Sequence, residues 1–297
     1  MIMEKLKKSF WLCLLLMFFF INTKVKAEAV TVSEKIKIIY FSNDLLKNLA
    51  QELLASVDFQ KRLNLRSLIP ESATWHEYTL TPRDLNQLSE AHVLFLLGKD
   101  IEGFSKKQIQ GKIKTLKVIE LNEEKLPFKE DKDPHYWNHP LNFIAVAKAV
   151  ARELILVEPN WQKQVDINLA KIENEIIKVH KNYLSLFAGL KEKTIIISHN
   201  SISFYGKAYG IKIFSPTGFN SLDQTIPSDL ISIKKMLKDN PKIPLFREVN
   251  SNNIFLEKLA KDLGLSIKGD INGESLRGKT YETFLKQNLE VIYSALK

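Results

Sequence analysis

IKIIYFSNDLLKNLAQELLASV, residues 36–57, is a short apolar run followed by a helical segment that opens near Asp44. A β-strand followed at once by a helix is the repeating unit of parallel α/β sheets. The unit recurs through LRSLIP (65–70), the helix opened by Thr81-Pro82-Arg83-Asp84, HVLFLLG (92–98) and LKVIELN (116–122). Thr81 is placed to cap that second helix, Pro82 takes its first position, and Asp84 lies in its electropositive first turn. A second series follows, with strands TIIIS (194–198), IKIFSP (211–216), PLFRE (244–248) and LSIKGD (265–270). Helices are expected from the end of TIIIS to Tyr209, from Pro227 to about Asp239, over 252–263 and over about 280–296.

Between the series lies a long helical stretch. Pro140 starts one amphipathic helix that ends near Val157, and Pro159 separates it from a second over about 161–190. In the second, Val165, Leu169, Ile172, Ile176 and Val179 recur every three or four residues, the mark of a one-sided apolar stripe. About 30 residues at 1.5 Å each make roughly 45 Å, more than one small lobe needs. The fold expected is therefore α/β: two four-stranded parallel-sheet βα lobes joined by a long rigid linker helix. The divisions are residues 1–27, 28–158 for the first lobe, 159–191 for the linker and 192–297 for the second lobe.

The first 27 residues read as a cleaved secretory signal. Lys5, Lys7 and Lys8 precede the apolar run FWLCLLLMFFFI (10–21), and Val25-Lys26-Ala27 offers small residues where signal peptidase reads. A run of that length is too short to span a bilayer comfortably. The expected location is the periplasm. Cys13 is the single cysteine and follows Phe10-Trp11-Leu12 rather than small residues, so no lipid anchor is expected. Without it the mature chain has no thiol, and any metal must be held by nitrogen and oxygen. Loss of the signal, which holds five lysines against Glu4, lowers the formal charge from +9 to about +5. That excess is spread over mixed Lys/Glu helix faces, with no basic stripe or nucleic-acid motif.

His76, His135 and His199 each fall beyond an expected strand, and Asp270 stands at the end of one. Ligands of open α/β sheets bind outside the carboxyl ends of the strands. Three imidazoles and a carboxylate suit a divalent transition metal. Asp133 can orient the His135 ring through its second nitrogen. His139 is a further candidate, although its place beside Pro140 at a helix start has a plainer structural reading. His92 opens a strand at the opposite end, and His180 lies on the long helix. The spacing matches no compact metal motif.

Four blocks carry a wider likeness: WHEYTLTPRDLNQLSEAHVLFLLG (75–98), DPHYWNHPLNFIAVAKAVARELI (133–155), IIISHNSISFYGKAYGIKI (195–213) and GKTYETFLKQNLEVIYSALK (278–297). Together they resemble the zinc- and manganese-binding solute receptors of ABC importers, over nearly all of the mature chain and in the same order. The resemblance implies two lobes bridged by a long helix, with Zn²⁺, or alternatively Mn²⁺, between them on His76, His135, His199 and Asp270. It also implies delivery by a monomer to a membrane permease and its ATPase. Three departures stand out: Thr74-Trp75 where many relatives have Asp-Pro, His139 before Pro140, and NEEKLPFKEDKD (122–133) without the histidine-rich loop of many zinc-type receptors. Two rival readings are a secreted zinc hydrolase, with Glu248 or Glu77 as general base, and a surface adhesin with incidental metal.

Overall fold

In the computed structural model, residues 36–71, 73–98, 101–130, 132–217, 219, 227–276 and 278–297 are described. Residues 1–27, expected to be a secretory signal, and Cys13 within them lie outside the described residues. Among the described residues, eight short strands form two four-stranded parallel sheets, ordered β2-β1-β3-β4 and β6-β5-β7-β8. The strands are β1 Lys37–Phe41, β2 Leu63–Ser67, β3 Val93–Leu96, β4 Lys117–Glu120, β5 Thr194–Ile197, β6 Lys212–Phe214, β7 Leu245–Glu248 and β8 Ile267–Ile271. Each sheet reverses its winding beside its first strand, between β1 and β3 and between β5 and β7. At such switch points the crossover helices leave on opposite faces and open a crevice.

The helix signals act where the chain chemistry puts them. Thr81 and Asp84 form a reciprocal capping box at the start of Pro82–Ser89, and Thr280 caps Tyr281–Leu296. Prolines begin helices at Pro82, Pro140 and Pro227, where their missing N–H costs nothing. Gly210 ends Ser203–Tyr209 at φ 69°, the left-handed conformation that glycine adopts without a Cβ penalty.

The helix between the sheets runs over Gln162–Ala188 and buries Val165, Ile172, Ile176, Val179, Tyr183 and Phe187 along one side. Each such large apolar side chain contributes about 1.5–3 kcal/mol through burial. Leu169 is only half-buried, and Asn168 shares the buried face instead. Its amide donates to the Leu53 and Ala55 carbonyls, both at 2.8 Å, which satisfies carbonyls at the end of Asp44–Leu53. Further along, Tyr183 donates to Glu290 of the last helix at 2.5 Å. The linker is thus fastened to elements of both lobes. A core of buried side chains extends through both sheets, and a smaller cluster around Ile196, Ile233, Leu245 and Leu256 fills an outer layer of the second. Among the described residues no helix is long and apolar enough to cross a membrane.

Candidate metal centre

Three imidazoles meet where the carboxyl ends of the two sheets face each other. His76 sits in the short 3₁₀ turn Trp75–Glu77 after β2, His135 precedes the turn Tyr136–Asn138 after β4, and His199 follows β5 directly. All three are buried, and each offers a ring nitrogen within 4.8 Å of the others. The Nε2 atoms of His76 and His135 stand 3.3 Å apart. Two nitrogens bound tetrahedrally to one ion at about 2.0–2.1 Å lie roughly that far from each other.

Two of the rings each have a carboxylate of their own behind them. The Nδ1–H of His135 donates to Asp133 Oδ1 at 2.9 Å, and the same oxygen accepts the His135 backbone N–H at 2.9 Å. That leaves the lone pair of His135 on Nε2, directed at His76. His199 Nδ1 lies 2.5 Å from Glu248 Oε2, which also accepts from the Ser251 hydroxyl at 2.9 Å. His199 Nε2 meets the Phe219 carbonyl at 2.9 Å. His199 and Glu248 flank the β5/β7 switch point, where neighbouring strands end side by side.

The electrostatics separate the rings. Burial holds the His135 imidazole below its ordinary value, against the opposing pull of Asp133. Burial acts on His199 in the same direction, but the Glu248 carboxylate prevails and pushes it up to about 9. The imidazolium of His199 in turn holds Glu248 below the usual carboxylate range despite its burial. Glu274 behaves in the opposite way: burial, with repulsion from Glu248, pushes its carboxyl up to about 8.

Asp270, expected from the sequence as the fourth ligand, does not stand with this group. β8 continues one residue past Asp270, and its side chains alternate. Ile271 is buried, whereas Asp270 lies exposed and accepts from Arg247 Nε of the adjacent strand at 2.7 Å. A period of two therefore turns Asp270 away from the crevice. Glu274, in the loop beyond β8, stands there instead, with Oε1 3.7 Å from His76 Nε2. His199, Glu248 and Glu274 also form a close group. Glu274 follows the same rule that singled out the histidines, an acidic group just past a strand end, but one turn of chain later than where the strand was expected to stop.

The other histidines have separate tasks. His139 accepts the Leu141 N–H through Nδ1 at 3.2 Å, capping Pro140–Val157, and stacks on Phe128 with ring centres 3.9 Å apart. His180 pairs with the Tyr209 hydroxyl, and His92 accepts the Ile38 N–H at the far end of the first sheet. Glu77 is exposed. A cavity of about 520 Å³ adjoins His76 and is lined also by Glu102, Phe104, Ser105, Gln108 and Glu120.

The loop that carries Glu274 ties the lobes together. Trp137 Nε1 and Asn138 Nδ2 of the first lobe donate to the Gly273 carbonyl at 3.0 and 2.9 Å. Ser275 donates to the buried Asp44 at 2.7 Å, and Tyr281 to the Trp137 carbonyl at 2.7 Å. A Cβ at Gly273 would fall 2.1 Å from Ser201 Oγ and 2.5 Å from Glu248 Oε1. Gly273→Ala should therefore cost about 1–3 kcal/mol of stability through overpacking. It should also weaken metal retention by displacing Glu248; an unchanged melting temperature and affinity would refute that packing argument.

Residues 39–295 match the family model described as ZnuA, zinc-uptake complex component A, periplasmic. The iron ABC transporter substrate-binding lipoprotein MtsA of Streptococcus pyogenes serotype M1 is 26% identical over 286 aligned residues, covering 89% of this chain and 90% of that protein. The manganese ABC transporter substrate-binding lipoprotein PsaA of Streptococcus mitis is 24% identical over 288, with 89% and 90% covered. Among solved structures, the periplasmic zinc-binding protein TroA from Treponema pallidum superposes with a TM-score of 0.75 at 16% identity, over 88% of this chain and 99% of its own. The last likeness concerns the fold alone. Both curated relatives are named lipoproteins, which lends no support to the expectation that this chain lacks a lipid anchor.

Proposed function

We propose, from the premise that the chain belongs to the periplasmic component A family of zinc-uptake complexes, that it captures Zn²⁺ between its lobes and hands it to an ABC importer. Capture takes place outside the cytoplasmic membrane, and the partners are a permease and its ATPase. The observation that carries this reading is the convergence of three buried imidazoles, two of them with Nε2 atoms 3.3 Å apart. His76, His135 and His199 supply nitrogen, and Glu274 supplies the oxygen that Asp270 was expected to give. Three nitrogens and one carboxylate close a tetrahedral shell around zinc, whereas Mn²⁺ favours a larger share of oxygen. The relatives' names include iron, manganese and zinc, so the choice among metals rests on this donor chemistry.

The same arrangement argues for holding rather than catalysis. A closed shell leaves no position for an activated water. Of the two bases considered for a hydrolase, Glu248 is committed to His199 and Ser251, and Glu77 is exposed. Competitive titration of the metal-free mature protein with Zn²⁺ and Mn²⁺ tests the reading. A one-to-one Zn²⁺ complex that outcompetes Mn²⁺ and turns over no ester or peptide is expected; preferential Mn²⁺ binding or metal-dependent hydrolysis overturns it.

The linker sets the scale of motion. A 27-residue helix fastened to both lobes resists wide hinge bending. Solution scattering should show only a slight compaction when Zn²⁺ is added. A large fall in the radius of gyration would contradict a rigid link between residues 28–158 and 192–297.

A further inference from the structure

Asp133 uses its two oxygens on opposite lobes. Oδ1 receives the ring and backbone N–H of His135, its near neighbour in the loop after β4. Oδ2 accepts the hydroxyl of Ser203, which opens the helix Ser203–Tyr209 after β5 in the other lobe. Asp133 is almost wholly buried, at 2% exposure, so neither contact is a passing surface encounter. One turn further along that helix, Lys207 pairs with Glu130 of the same first-lobe loop. A single helix of the second lobe thus grips the loop that presents His135 at two points.

From this geometry we propose that Ser203 is a positioning residue for metal capture, holding Asp133, and through it the His135 ring, only while the lobes are in contact. The inference rests on the metal-receptor reading above. When the lobes part, the Ser203 hydroxyl leaves Asp133, and the carboxylate loses the cross-lobe bond that steadies it behind the Nδ1–H of His135. The ligand nearest His76 then loses its orientation without any ligand being removed. Partners of this outer kind typically alter metal affinity 10–100-fold. The device would couple release of the ion to separation of the lobes through one hydroxyl.

The test uses the zinc-loaded mature chain, with Zn²⁺ release to excess chelator followed by stopped flow in the parent, S203A, S203T, D133N and S203A/D133N. Release should be about 10–100-fold faster in S203A and close to the parent in S203T, which keeps the hydroxyl. In the D133N background S203A should add less than about twofold, because the partner through which it acts has already been lost. Co²⁺-loaded S203A should also show a shifted ligand-field spectrum, a change that mere loosening of the helix would not produce. Parent-like release in S203A, or a full additional effect in D133N, overturns the inference. A parent chain that retained neither Zn²⁺ nor Mn²⁺ would overturn the receptor reading and this one together; a parent that retains metal beside an unaltered S203A overturns the positioning role alone.

Discussion

Zn²⁺ affinity falls more than about 100-fold when His199 is replaced by alanine, beyond what loss of an outer partner costs. The site then keeps two imidazoles, and Glu248, whose low value depends on the His199 imidazolium, becomes a buried carboxylate without its cation. Glu274→Gln should follow His199→Ala in direction, since an amide oxygen is a weaker, uncharged donor to the ion. Asp270→Ala should leave the affinity where it was, because that carboxylate is exposed and paired with Arg247. His139→Ala should also keep the affinity and lose a helix cap and the stacking on Phe128. Isothermal titration across the four variants decides the ligand set. If Asp270→Ala fell with His199→Ala while Glu274→Gln bound normally, the assignment of the fourth ligand to Glu274 would be wrong.

The second large effect is on pH. In the metal-free protein His199 holds its proton up to about 9 and Glu274 up to about 8, so at pH 7 both are protonated. A metal needs the neutral imidazole and the ionised carboxylate, so binding expels both protons. The metal-bound state carries fewer protons than the free state, and affinity therefore rises with pH. From pH 7 to about 8 the affinity should climb by about two orders of magnitude per pH unit, then by about one order per unit to about 9, and level off above. Calorimetry at pH 7 in buffers of different ionisation enthalpy should count about two protons released per Zn²⁺. A count near one would mean that only one of the two groups holds its proton before the metal arrives, and a count near zero that His199 is already neutral and Glu274 already ionised.

Much of the fold could be read along the chain because its signals are local. Thr81 and Asp84, the prolines at 82, 140 and 227, and the stripe from Val165 to Val179 act within a few residues of themselves. Asn168 could not be read that way. Its partners, the Leu53 and Ala55 carbonyls, are more than a hundred residues away, and only the packed helix pair brings them within reach. The same division runs through the site. The histidines were visible as residues beyond strand ends, a rule of position along the chain. Asp270 satisfied that rule too, but β8 ran one residue further, and strand parity sent its side chain to solvent.

The sequence by itself determined two series of βα units, the long apolar-striped helix between them and three histidines beyond strand ends, since periodicity, capping and placement are properties of neighbouring residues. Only the tertiary structure decided which side chains converge. It set His76 Nε2 against His135 Nε2, placed Glu274 rather than Asp270 beside them, and put Glu248 and Asp133 behind the rings. The physical reason is that those distances are fixed across the crevice, by bonds such as Trp137 to Gly273 and Ser203 to Asp133 whose partners lie on different lobes.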